Sequence, residues 1–127
     1  MLKIKKIETN RYTLTLEFRR RIVECRVNDH VEIDLADLMA IKEILLRSKS
    51  ERYRLLLEGE ELFSITREAR ELLAHEESKN IFRAIALYSN FSGARLLGEL
   101  FVKINKPHVP AQVFNDRNIA LNWLLSH

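Results

Sequence analysis

The sequence predicts a mixed α/β fold in which an N-terminal antiparallel hairpin leads into parallel strands joined by helices. Three observations predict it. Residues 12–18 and 21–27 alternate apolar and polar side chains with the period of two of a half-buried strand. The runs 53–58, 83–88 and 111–114 are short and apolar on both faces, the pattern of strands covered on both sides. Between and after these runs the period lengthens to about 3.6, that of amphipathic helices.

In the hairpin, Tyr12, Leu14, Leu16 and Phe18 share one face, and Thr13, Thr15 and Glu17 the other. Val23, Cys25 and Val27 continue the apolar face after a turn at Arg19 and Arg20. Neither arginine is a favoured turn residue. Residues 2–7 add a short strand ahead of the hairpin. Asp34 caps a helix over 34–48, with Leu35, Leu38, Met39, Ile41 and Leu45 as its buried stripe. Asp37 and then Arg47 and Lys49 suit the two ends of its dipole.

The second helix is expected over 66–77, capped by Thr66 or Ser64, with Ala69, Leu72 and Leu73 inward. The third spans 91–105 and buries Leu97, Leu100, Phe101 and Ile104. Pro107 and Pro110 keep the following segment out of helix. The fourth spans 117–126, capped by Asp116, with Ala120, Trp123 and Leu124 inward. The order is hairpin–α–β–α–β–α–β–α: one mixed sheet with about four helices.

A chain of 127 residues suits one domain, 1–127, which buries enough surface for a core without metals or disulfides. Glycine (3) and proline (2) are too scarce for a loop-rich or disordered chain. The formal charge of +3 comes from 21 basic and 18 acidic residues whose signs are interspersed, so no nucleic-acid face stands out. The exception is the run Arg19-Arg20-Arg21, which reads as a solvated hairpin tip or as a contact for nucleic-acid or lipid phosphate. No run approaches the roughly 18 apolar residues of a membrane span, and no targeting segment is recognised. With Cys25 as its one cysteine, the chain reads as a cytoplasmic protein without a disulfide, and Cys25 as a small core residue.

Catalytic chemistry finds no support. His30, His75, His108 and His127 lack metal-ligand spacing. There is no phosphate loop, dinucleotide fingerprint or nucleophile elbow, and Gly93 after Ser92 lacks the phosphate-loop context. The pairs Glu60-Glu61 and Glu76-Glu77 lie in hydrophilic stretches and read as solvated surface. No catalytic residue, metal or cofactor is expected. In open α/β sheets, ligands collect at the carboxyl ends of the parallel strands. That edge should carry Ser64, Thr66, Ser89, Asn90 and Ser92 as polar groups and Arg67 and Arg95 as cations, beside two helix N-termini. Those groups suit a phosphate, a phospholipid head or an acidic peptide; they are equally accounted for as helix caps.

Several phrases carry a family resemblance. Asn105-Lys106-Pro107, Val109-Pro110, Val113-Phe114-Asn115-Asp116, Ala120 and Trp123-Leu124 follow one another near the C-terminus, and Ser64-Ile65-Thr66-Arg67-Glu68-Ala69-Arg70-Glu71 opens the second helix. In order and spacing the chain resembles, from about Tyr12 onward, the SpoIIAA-like group of STAS domains, and above all the small one-domain bacterial STAS/CRAL-TRIO-like proteins. The resemblance implies a SpoIIAA-like fold and a regulatory or adaptor role that is not enzymatic. Anti-sigma factor antagonists of this group bind a kinase and are switched by serine phosphorylation at an Asp-Ser-Ser-Gly-like motif. Here that place reads Phe63-Ser64-Ile65-Thr66-Arg67-Glu68, with no Asp-Ser pair and no glycine. The expected partner is a protein or a second copy; Leu96, Val102 and Ile22 lie on flanks where a copy would meet them. The alternative is a carrier of an anionic lipid or nucleotide, held between the third helix and the sheet.

Overall fold

The computed structural model describes residues 4–48, 52–59, 64–90, 99 and 101–127. Alternation near the N-terminus produces three antiparallel strands, β1 (Ile4–Glu8), β2 (Tyr12–Glu17) and β3 (Ile22–Val27). Glu17 pairs with Ile22, so Phe18–Arg21 form a four-residue loop. Arg21 closes it in the left-handed region at φ 53°, which is how a turn without glycine returns the chain to the strand.

From β3 onward the pairing is parallel, through β5 (Tyr53–Gly59), β7 (Phe82–Ser89) and β8 (Ala111–Phe114). The six-stranded order is β1-β2-β3-β5-β7-β8. Parallel neighbours need crossovers. The first carries α1 (Leu35–Arg47); the second carries α2 (Arg67–Ala74) and a 3-10 turn, Glu76–Asn80. Leu14, Leu16, Val23, Cys25, Leu55, Leu57, Ile85 and Leu87 meet Leu38, Ile41, Leu45, Ala69 and Leu73 of these helices in the main core. A fully buried leucine contributes roughly 2 kcal/mol. On the opposite face α3 (Arg117–Leu125) seats Ala120 and Leu124 on Leu56, Ala84, Ala86 and Phe114; the three alanines let helix and sheet approach closely. β5 and β7 are thus covered on both sides. The structure has the SpoIIAA-like mixed sheet that the resemblance implies.

The differences have local causes. Leu35 and Met39, expected in the buried stripe of α1, are exposed, because Leu38, Ile41 and Leu45 suffice to fill the contact with the sheet. Ile22, considered as a contact for a second copy, is buried within the chain beside its register partners Glu17 and Arg54. Phe18 belongs to the turn rather than to β2. α2 stops at Ala74, where Ser78 Oγ donates to Leu72 O (2.9 Å) and a 3-10 turn takes over. Trp123 is only half-buried. Residues 91–98 and 100 of the expected third helix lie outside the described residues; Phe101–Asn105 form a π-helical turn that sinks Phe101 into the main core. Among the described residues no helix is long and apolar enough to cross a membrane.

Two minimal strands escape the periodicity: β4 (Glu32–Ile33) and β6 (Ser64–Ile65), paired in parallel. Leading into β4, exposed His30 stands at φ 64°. A side chain there costs about 1 kcal/mol relative to glycine, part of which glycine returns as unfolded-chain entropy. His30→Gly is therefore expected to stabilise the fold by up to about 0.5 kcal/mol, read from urea unfolding; a lower midpoint would contradict that cost.

Candidate functional site

The β4–β6 ladder positions the rim at the carboxyl ends of the parallel strands. Ser64 N donates to Val31 O (3.2 Å) and Thr66 N to Ile33 O (2.9 Å). One residue beyond each strand a helix begins, so α1 and α2 start side by side, pointing their first amides at one rim. At α1, Asp34 accepts from Asp37 N while Asp37 accepts from Asp34 N, each at 2.9 Å, a reciprocal capping box. Arg11, in the β1–β2 turn, grips Asp37 with Nε (2.9 Å) and Nη2 (2.8 Å) and reaches Glu32 O (2.5 Å). Burial by itself would raise the Asp37 carboxyl, but the Arg11 guanidinium and the Asp34 amide outweigh it and hold the group below the usual carboxylate range.

Of the residues expected at this rim, Ser64, Thr66 and Arg67 lie together at the start of α2, and each has an intramolecular partner. Ser64 Oγ donates to Glu32 Oε2 (3.1 Å), Thr66 Oγ1 accepts from Ala69 N (3.2 Å), and Arg67 Nε donates to Glu71 Oε1 (3.0 Å). Ser89 is buried where β7 ends, in register with Gly59 at the end of β5, and Asn90 follows it, exposed. Ser92 and Arg95 lie outside the described residues. The α1 end of the rim, with Glu32, Asp34 and Asp37, is acidic. Of the two helix N-termini expected at this edge, that of α2 is already capped by the Thr66 hydroxyl, and that of the third helix lies outside the described residues.

What sequence reading missed is the outer surface of α1. Leu35, Met39 (57% exposed) and Leu46 (60% exposed) lie within about 40° of one another at 100° per residue. Ala36 and Ala40 are exposed beside them. The signal was present: 35, 39 and 46 form a second stripe about a third of a turn from 38, 41 and 45, giving this helix a wider apolar arc than one sheet contact uses.

Two depressions bear on a ligand. The cavity between α1, α2 and the sheet, lined by Leu38, Ile41, Leu55, Leu72 and Phe82 among others, measures about 20 Å³, room for a single water. An open groove of about 240 Å³ runs between Glu99, Val102 and Lys103 on one side and Ala111–Val113 on the other. On the sheet's second face, where α3 leaves β1–β3 uncovered, Arg117 Nε donates to buried Glu58 Oε2 (2.8 Å) and Arg117 Nη2 to Glu24. Arg26 adds a cation 3.8 Å from Glu58. Among the described residues no cluster of His, Cys, Asp or Glu could hold a metal ion.

Cys25 lines the inner cavity, and burial pushes its thiol up to about 12. It is therefore a protonated, shielded thiol at neutral pH. Ellman's reagent is expected to label it only at the rate of global unfolding; prompt labelling of the native protein would show that the cavity opens.

Residues 16–127 match the family described as Domain of unknown function (DUF7793). No curated protein matches the chain. Its structure is similar to that of an uncharacterized protein of the DUF3478 family with a SpoIIAA-like fold from Shewanella loihica PV-4, with a TM-score of 0.55 and 13% identity, covering 97% of this chain and 93% of that one. At this identity the likeness is one of fold.

Proposed function

The chain belongs to the DUF7793 family, and we propose that it serves as a non-enzymatic regulatory or adaptor domain that binds a protein through the outer face of α1, that protein being a distinct partner or a second copy. The observation that carries this reading is the apolar surface of Leu35, Ala36, Met39, Ala40 and Leu46 on a helix whose core contacts are already complete. Exposed apolar residues scattered singly need no explanation; here Leu35 and Met39 adjoin one turn apart, and Leu46 follows on the same face beyond Lys42 and Glu43. Ala36 and Ala40 flank these side chains on one side, next to the exposed Glu43–Arg47 ion pair. Glu32 and Asp34 at one end favour a partner segment with a basic residue there.

The carrier reading has less support. The interior cavity has no space for an acyl chain or a base, the groove along β8 is smaller than the roughly 300–1,000 Å³ that encloses a drug-sized ligand, and the open depression of about 300 Å³ on the second face is lined by the Arg117–Glu58–Glu24 ion pairs, whose charges already satisfy one another. The deciding experiment is capture of interaction partners by wild-type protein and a variant with a polar α1 face, with light scattering on the purified protein to reveal self-association.

A further inference from the structure

Several basic residues that are scattered along the chain meet at one pole of the molecule. The hairpin loop carrying Arg19, Arg20 and Arg21 sits at the pole where the parallel strands begin. Arg54 enters β5 there, its amide donating to Arg21 O (2.7 Å). Arg83 enters β7 there, beside the irregular register at Tyr53 and Arg54. Lys5, on the edge strand β1, stands in register with Leu16 near the same end. Topology thus gathers six cations from four separate stretches of sequence. Glu17 holds Arg20 through Nε (2.6 Å) and Nη2 (2.5 Å). Arg54 donates to the carbonyls of Arg20 (2.5 Å) and Leu124 (2.9 Å) and to an oxygen of His127 (2.7 Å), which together orient its guanidinium. Burial and then the nearness of Arg83 and Arg21 lower the Arg54 pKa, a sign of like charges crowded together. Carboxylates stand at both poles: Glu32, Asp34 and Asp37 before α1, with Arg11 on Asp37, and Asp116 before α3 at the far one, and Glu76 and Glu77 ahead of β7 at this one.

We propose that this basic pole docks on an anionic phospholipid bilayer, with the arginines at the head groups and Ile4 and Leu125 entering between them. Ile4 is 60% exposed beside the hairpin loop, and exposed Leu125 adjoins the carbonyls that Arg54 holds. Cations flanked by protruding aliphatic side chains match the two attractions of a membrane surface, electrostatic and hydrophobic. A single-stranded nucleic acid would use the same charges but also want an open aromatic face. The nearby Trp123 ring is engaged by Phe114 (5.5 Å) and His127 (4.5 Å). This surface is separate from the outer face of α1, and the inference stands without it.

Flotation with vesicles of phosphatidylglycerol and phosphatidylcholine in equal amounts tests the assignment. The whole protein is expected to float with these vesicles, to stay behind with pure phosphatidylcholine, and to be released by high salt. Arg19→Glu combined with Arg83→Glu should weaken binding by roughly twentyfold or more, at about fivefold per basic side chain lost. Ile4→Asp, which spares the fold because the side chain is exposed, should weaken it severalfold. Thermal unfolding of each variant separates these losses from misfolding. Failure of the wild type to float with anionic vesicles would overturn the proposal, as would equal binding by the folded double variant. Tighter binding to single-stranded or duplex oligonucleotides than to the vesicles would overturn it in favour of nucleic acid.

Discussion

Arg117→Ala is expected to destabilise the protein by about 3 kcal/mol, the low end for breaking a buried ion pair. The Glu58 side chain is 5% exposed on the central strand β5, and Arg117, 36% exposed, is the cation within hydrogen-bond distance of it. Removing the guanidinium strands a carboxylate under the start of α3. Arg26 at 3.8 Å compensates in part, which is why the low end applies. For a chain of this length the loss corresponds to a fall in Tm on the order of 10 °C. Adding Glu58→Gln to Arg117→Ala should recover a substantial part of it, because a neutral amide is cheaper to bury than an unpaired carboxylate. If the double variant unfolds at the same temperature as Arg117→Ala alone, the penalty does not arise from the stranded charge. The network also explains how a charged strand end is tolerated between two apolar layers.

Partner capture is expected to fall about a thousandfold when Leu35→Asp and Met39→Lys are combined, since central apolar anchors of an interface are each worth roughly 2 kcal/mol. The pair is chosen to spare the helix. Aspartate in the first turn suits the dipole, and a lysine four residues later forms a favourable pair with it. Stability should change by no more than about 0.5 kcal/mol, as for ordinary surface substitutions. Ile119→Asp, at an exposed position on α3 across the sheet, is the matched control and should leave capture intact. If the native assembly is a dimer of this chain, light scattering should show the double variant as a monomer and the control as a dimer. Undiminished capture and an unchanged mass for the double variant would place the interface elsewhere.

Much of the fold was legible because its signals are local. The alternation at Tyr12, Leu14 and Leu16, the doubly apolar runs that became β5 and β7, and the caps Asp34, Thr66 and Asp116 are each read within a few residues. The two-residue strands β4 and β6 were not legible, since two residues carry no period; only the ladder that joins them reveals them. Met39 was misread for a related reason. Hydrophobicity marks it as suited to burial, but how wide an arc of α1 the sheet covers depends on where α2 and the sheet lie.

The candidate rim divides in the same way. The sequence placed Ser64, Thr66 and Arg67 at the start of α2, but that Ser64 is bonded to Glu32 and Arg67 to Glu71 could be seen only after folding. By itself the sequence determined the type and order of the main elements and the caps that start the helices, because backbone geometry and local side-chain period are properties of neighbouring residues. The tertiary structure alone decided the crowding of Arg54 and Arg83 against the hairpin arginines, the burial of Glu58 under Arg117, and the outward turn of Leu35 and Met39. Each of these depends on which distant segments share a pole or a face, and packing against those segments, not the residues' own preferences, sets their surroundings.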